Sequence, residues 1–349
     1  MRKILGAAGV LGLMAAGAAG LFGALAQRRA RRLDLRGRVA VVTGGGRGLG
    51  LAIARELQRR GCTLAICGRE GDVILRAVDE LAQGPGAVFG MTCDAADPLQ
   101  VEAFVAQVLD RFGAIDVLVN NAGQCFVGPA AELREDDVEA ALRNIFWVQF
   151  HPTMAALPHM RARRAGRIVN ITSIGGKVPL PHLAAYAVGK FAATGWSETL
   201  AAEVAKDGVY VSTITPPPLD NGAPLTVRFA GRREQEFRWF ARMLTAPWSA
   251  TDTDRVARIV VDAAEYGDRE RTASALAWLG ARLHGAAPNL MSRLLAAVDR
   301  RLPAAGEPGA RSAMRPGFEV VGRSSDPTVQ RLGAAARRDA RRYRPHPPP

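Results

Sequence analysis

Lysine is almost absent from this chain. Of 46 basic residues only Lys3, Lys177, Lys190 and Lys206 are lysines; the rest are arginine. Cysteine is also scarce: Cys62, Cys67, Cys93 and Cys125, with no C-x-x-C pair. That excludes a disulfide framework and a zinc ribbon, and reads as small buried residues of a reduced compartment. None of the five histidines stands at metal-ligand spacing, so no metal site is expected. A nucleic-acid motif is missing too, although the net charge is +13. The charge is local. Residues 27–38 carry six Arg and one Asp, residues 323–349 carry seven Arg and two Asp, and Arg2 and Lys3 open the chain. The body between is nearly neutral, which suits an anionic membrane surface better than a nucleic-acid groove.

Charge is absent altogether from residues 4–26. Twenty-three uncharged residues are enough to cross a bilayer core as a helix. The dense cluster from Arg28 to Arg32 follows at once and marks a cytoplasmic flank. The expectation is a single-pass membrane anchor over 1–27, a basic linker over 28–36, and a catalytic domain on the cytoplasmic side. A cleaved signal peptide ending in Ala24-Leu25-Ala26 and a helix packed on the body are the alternatives.

From residue 39 onward short apolar runs alternate with amphipathic segments. Strands are expected at 39–43, 63–67, 87–92, 115–119, 167–171 and 209–214. Helices are expected over 136–163 and from Tyr186 to about Lys206. Apolar strands separated by helices predict an α/β fold with a doubly wound parallel sheet, spanning 37–302. Ligands of such sheets bind at the carboxyl ends of the strands.

The first strand ends in Thr43-Gly44-Gly45-Gly46-Arg47-Gly48-Leu49-Gly50. Glycines between a strand and a helix let the backbone approach a pyrophosphate, which a helix amino terminus favours. The second strand ends in Cys67-Gly68-Arg69, where an acidic residue would grip the ribose hydroxyls of NAD. Arg47 and Arg69 can instead hold a 2′-phosphate, so NADP(H) is expected over NAD(H). The alternative leaves Arg69 solvated and gives the acidic role to Glu70. Asp94, after the third strand, is a candidate for the adenine amino group.

One of the four lysines stands four residues after a tyrosine, in Tyr186-Ala-Val-Gly-Lys190, with Ser173 thirteen residues upstream. Positions i and i+4 share one helix face. An ammonium there favours a phenolate, and acid–base work near neutral pH needs a tyrosine pKa below its ordinary value near ~10. A chance pair on an ordinary helix is the alternative for Tyr186 and Lys190 taken alone.

Together these residues resemble the short-chain dehydrogenase/reductase superfamily over about 37–265. The resemblance rests on Thr43 to Gly50, Asp94, Asn120-Asn121-Ala122-Gly123, Asn144, Ser173 and Tyr186-x-x-x-Lys190. It implies hydride transfer between a nicotinamide and a carbonyl or alcohol. By resemblance Tyr186 is the acid/base, Ser173 orients the substrate oxygen, Lys190 holds the ribose, and Asn144 positions a relay water. Asn121, Ala122 and Gly123 then lie beside the cofactor, as does Pro216. A homodimer or homotetramer is implied by resemblance only. One departure stands out: the run Thr215-Pro216-Pro217-Pro218-Leu219-Asp220-Asn221 has Pro217 in place of the usual glycine and Asn221 near the usual threonine. Proline removes a backbone donor there.

A substrate lid is expected over about 220–250, where Phe229, Phe237, Trp239, Phe240, Met243, Leu244 and Trp248 interleave with arginines. With the anchor, this favours a lipophilic carbonyl or alcohol as substrate; the alternative is that these aromatics pack the core. Residues 275–302 form a second apolar stretch that packs on the body, lines a dimer contact or dips into an interface. Residues 303–349, rich in Pro, Gly and Arg, are expected to be poorly ordered. The competing function is a membrane-tethered NADPH-binding scaffold or redox sensor without turnover.

Overall fold

The computed structural model describes residues 23, 26–245, 251–306 and 313–343. The expected anchor over 4–26 lies outside the described residues, apart from Gly23 and Ala26, as does Trp248. Among the described residues no helix is long and apolar enough to cross a membrane.

Seven strands form one parallel sheet: β1 (Val39–Thr43), β2 (Thr63–Gly68), β3 (Val88–Thr92), β4 (Val117–Asn120), β5 (Gly166–Ile171), β6 (Val209–Thr215) and β7 (Glu270–Thr272). Their order is β3-β2-β1-β4-β5-β6-β7. β1 is central and every residue in it is buried. Val41 stands opposite Ala65 on one side and Leu118 on the other. A strand covered on both faces can be apolar at every position, as Val-Ala-Val-Val is. β7 has no such pattern. Its Glu-Arg-Thr pairs only with β6, at the sheet edge, so the hydrophobic pattern gives no sign of it.

Helices cover both faces. On one, α1 (Gly48–Arg59) contributes Leu51, Ile53 and Leu57. On the other, α2 being Gly71–Leu81, α3 (Pro98–Phe112) contributes Val101, Phe104 and Val108. α3 starts where the sequence signals it: Pro98 takes the first turn and the Asp97 side chain accepts from Leu99 and Gln100 N–H groups. The long helix expected over 136–163 is broken into α4 (Glu135–Leu142), a π-helical turn at Arg143–Trp147, and α5 (Val148–Ala162). Pro152 lies one turn beyond the wide segment, and proline deletes a helix hydrogen bond while crowding the carbonyl four residues back. The tyrosine helix is α6 (Ala184–Glu203).

Beyond the sheet the chain adds a third packed unit. α7 (Arg233–Thr245) is the expected lid, and α8 (Thr253–Tyr266) returns to the sheet. α9 (Ala275–Ala286) and α10 (Pro288–Asp299) form a hairpin. α11 (Gly317–Arg323) and α12 (Pro327–Arg341) then pack on α7. The tail expected to be poorly ordered is thus helical over most of 317–341. Val320, Val321, Val329, Ala336 and Ala340 are buried against the lid, and Asp326 caps α12. Average composition conceals this, because an amphipathic helix needs only one apolar stripe. The basic linker also docks: Arg28 and Arg32 pair with Asp268 and Glu265, and Leu35 is in the core.

Candidate active site

Two clefts open at the carboxyl ends of the strands and share Arg47, Leu49, Arg69, Asn121, Gly123 and Asn221 in their walls. The first encloses about 260 Å³ and is walled mainly by the glycine turn and the ends of β2, β3 and β4. The second, about 330 Å³, holds Ser173, Tyr186, Lys190 and Pro216.

The first cleft depends on backbone fit. Gly44 has φ 63°, a left-handed conformation that disfavours a side chain. A Cβ on Gly50 would sit 2.1 Å from the Gly44 carbonyl oxygen, so α1 can start this close to β1 only through glycine. Such a cradle fits a dinucleotide pyrophosphate. Gly44, Gly46, Arg47, Leu49, Arg69, Asp94, Asn121, Ala122 and Gly123 all line this first cleft. Thr43, Gly48 and Gly50 do not line either cleft and act behind it. Thr43 Oγ1 accepts from the N–H groups of Asn121 and Ala122, while Asn121 Nδ2 donates to the carbonyls of Thr43 and Gly44. The Gly48 N–H donates 2.9 Å to the carbonyl of Tyr343.

The charged groups of this cleft are partly engaged. Arg47 pairs with Glu70 at 3.0 Å. Arg69 donates to Asn144 Oδ1 at 3.1 Å, and Asp94 accepts from Arg143 at 2.8 Å. Asn144 therefore stands on the nucleotide side, with its Nδ2 donating to the Ala140 carbonyl. The side chain of Asn144 is thus engaged by Arg69 and Ala140 and does not line the cleft that holds Tyr186. Successive helical residues point in different directions, and it is the next one, Ile145, that turns to α6: a Cβ on Gly189 would meet Ile145 Cβ at 2.8 Å.

In the second cleft, α6 presents Tyr186 and Lys190 on one face. Ser173 follows β5, and its hydroxyl, which accepts from the Gly175 N–H, is close enough to the Tyr186 phenol to favour its ionised form. Lys190 Nζ donates to the Ile171 carbonyl at 2.9 Å and lies 5.8 Å from the Tyr186 ring centre. In the protein alone the tyrosine is not acidified. Burial pushes its pKa well up, nearby Cys125 adds to this, and only the Ser173 hydrogen bond opposes it. Burial also pulls Lys190 down to about 8. Burial thus dominates the proton affinity of both groups in the protein alone.

Gln124 and Cys125 continue the second wall, and Pro217, Pro218 and Leu219 carry it onward from β6. Asn221 stands where the clefts meet; its Oδ1 accepts from Ala223 N–H, fixing a turn. From the lid, Phe240, Met243 and Leu244 line the cleft, whereas Phe229 and Phe237 are fully buried in the lid core. The expected lid side chains thus divide, some lining the cleft and others packing the core.

Two supports carried no sequence signal. His182, with φ 60°, is held through Nδ1 by Glu236 of α7 at 2.9 Å, and Trp239 Nε1 donates to the same carboxylate. This ties the lid to the segment four residues before Tyr186. The second is the C-terminal segment: a Cβ on Gly222 would lie 2.4 Å from Ala340 Cβ, so α12 packs directly against the turn after Asn221. Neither contact is local, and neither follows a motif.

A profile described as short chain dehydrogenase matches residues 38–228. The chain is 37% identical over 182 residues to a granaticin polyketide synthase putative ketoacyl reductase 1 of Streptomyces violaceoruber, covering 51% of this chain and 66% of that one. It is 35% identical over 208 residues to dehydrogenase/reductase SDR family member 7B of Bos taurus, covering 57% and 64%. Among solved structures, L-sorbose reductase from Gluconobacter frateurii complexed with NADPH and L-sorbose superposes with TM-score 0.62 and 26% identity, over 69% of this chain and 97% of that one. The matched stretch thus spans just under two thirds of the first two relatives. With the profile matched over more than half of its length, on a parallel sheet that carries Ser173, Tyr186 and Lys190 at one cleft, the chain belongs to the short chain dehydrogenase family.

Proposed function

We propose that this protein is an NADP(H)-dependent oxidoreductase that interconverts a lipophilic carbonyl compound and its alcohol. The observation that carries the proposal is the opening of the glycine-turn cleft into a largely apolar cleft bearing Ser173, Tyr186 and Lys190. A bound dihydronicotinamide would supply the hydride to the carbonyl carbon. Tyr186 gives its phenolic proton to the carbonyl oxygen, and its raised pKa keeps that proton in place at neutral pH. Ser173 donates to the same oxygen and orients it. Lys190, as an ammonium, holds ribose hydroxyls and stabilises the phenolate left behind. The residues that would hold the dinucleotide are Gly44, Gly46, Leu49, Asp94, Asn121, Ala122 and Gly123. Arg47 and Arg69 face the position after β2 where no carboxylate competes except Glu70, which is already paired with Arg47.

The test is a fluorescence titration with NADPH and NADH, repeated on Arg69→Leu. A charge-assisted hydrogen bond contributes roughly 1.5–3 kcal/mol, so NADPH affinity should fall about tenfold or more while NADH affinity holds. Equal loss for both cofactors, or tighter NADH binding by the parent protein, would sink the NADP(H) assignment.

The uncharged run 4–26 and the arginines that follow support a single-pass membrane protein with its catalytic domain on the cytoplasmic side. Alkaline carbonate extraction of membranes checks this: retention in the pellet is expected, release into the supernatant refutes it.

A further inference from the structure

Six of the large hydrophobic side chains exposed among the described residues lie on one hairpin, α9–α10. Leu276, Trp278, Leu279, Leu290, Leu294 and Val298 are each 47–62% exposed. Within α9 and α10 only Met291 is buried. A soluble surface scatters its exposed apolar residues, whereas a contiguous set marks something that covers it. The stretch 273–298 contains no carboxylate, and Arg282, Arg293, Arg300 and Arg301 are interleaved with the apolar residues or follow them. The Arg282 guanidinium lies over the Trp278 ring at 5.4 Å.

The charge pattern decides between occupants. A second copy of the same hairpin would set arginine against arginine, with no carboxylate to answer until Asp299. The Asp299 carboxylate is instead 3.6 Å from His182 Nε2. An anionic lipid surface answers both features, taking apolar side chains below the headgroups and cations among them. The position agrees. Thr272 pairs with Thr215, the last residue of β6, so the hairpin leaves the sheet at the end where the clefts open. It returns at Asp299, beside the residue four before Tyr186.

We propose that the α9–α10 hairpin lies in the headgroup region of an anionic bilayer, beside the substrate cleft, and delivers lipophilic substrate from the lipid. The delivery step rests on the lipophilic-substrate reading above; the lipid contact does not depend on the anchor.

The full chain is tested with a nitroxide label at Leu279→Cys or Leu294→Cys, with the parent chain labelled in parallel to subtract any signal from Cys125. In vesicles of phosphatidylcholine with phosphatidylserine, both labels should become accessible to oxygen and shielded from a water-soluble nickel chelate. A label at Leu99→Cys, exposed on α3, should stay open to nickel. A second measurement needs no label: Leu276→Glu with Leu279→Glu should reduce the quenching of tryptophan fluorescence by brominated phospholipids in these vesicles, whether or not the chain is also anchored. Nickel access at both hairpin labels in vesicles would overturn the proposal. So would shielding without vesicles together with a doubled mass in sedimentation, which assigns the face to a second copy. The two membrane readings fail separately. If only the anchor reading is wrong, high salt releases the chain from vesicles; if only this one is wrong, the chain stays bound while the hairpin labels remain open to nickel.

Discussion

The two clefts are neighbours built on different principles. The nucleotide-side cleft is made mainly from strand ends and the turns that follow them, and all of its wall except Asn221 comes from one stretch of chain, Gly44 to Val148. Its glycines, its Thr43–Asn121 brace and its strand order all depend on short-range geometry. The substrate-side cleft gathers its walls from Gln124, the Ser173 loop, α6, the proline run and α7, and the lid in turn is held by helices near the chain terminus. The first can be specified by a motif; the second exists only once distant segments have packed. Each cleft should therefore be breakable without the other.

Tyr186→Phe makes the largest separation. Removing a positioned acid typically costs 10²–10⁴-fold, so turnover should drop about a thousandfold. Affinity for NADPH, set by the first cleft, should stay within a factor of about three. Parallel loss of both in a titration and a turnover assay would show that the clefts are coupled, and retained turnover would favour the scaffold reading.

That division also describes what could be read from the sequence. Central strands such as β1 and β5 are legible because burial on both faces writes a continuous apolar run. Most residues of the two motifs likewise fall on the clefts, with Thr43, Gly48 and Gly50 behind them. The side to which the Asn144 side chain turns is not legible, because a motif gives position along a helix but not the facing, and one residue of difference turns a side chain by about 100°. The tail helices were missed because Arg-rich composition masked the stripe of Val320, Val329, Ala336 and Ala340. The His182–Glu236 tie joins residues 54 apart in sequence, so no local pattern announces it.

pH separates the second cleft's chemistry from its packing. Lys190 titrates at about 8, below its ordinary value, because it is buried. Reduction that needs the ammonium should be flat at lower pH and fall up to about tenfold per unit above 8. Stability moves the other way. A lysine with a depressed folded-state pKa binds fewer protons when folded, so its contribution to stability rises as pH goes from about 8 toward the ordinary lysine value. A rate loss above pH 8 with no accompanying loss in the thermal midpoint supports this assignment; coincident losses would assign the effect to unfolding.

Ala340→Leu tests the support of the second cleft from behind. Ala340 is 1% exposed and packs on Gly222, so extra methyl groups have nowhere to go. Overpacking of this kind costs about 1–3 kcal/mol. The strain falls on the turn after Asn221 and on the lid, so KM for the carbonyl substrate should rise several-fold while turnover at saturation changes little. An unchanged KM would mean that α12 is only a cover.

The smallest expected effect is the most exacting test of how the clefts divide the work. If Asn144 carried a proton relay, Asn144→Ala would cost turnover roughly a hundredfold, as the loss of an acid–base group does. In the structure its side chain is engaged on the nucleotide side. Its carbonyl oxygen holds Arg69 at 3.1 Å on the nucleotide side, and its amide is spent on Ala140. Turnover should therefore stay within about threefold, because no group in the second cleft loses a partner. What should shift instead is cofactor discrimination, since Arg69 is released from a neutral acceptor and is free to meet a phosphate or to wander. A measured change in the ratio of NADPH to NADH affinity, with turnover preserved, assigns Asn144 to the first cleft. A collapse of turnover with that ratio intact would return it to the second.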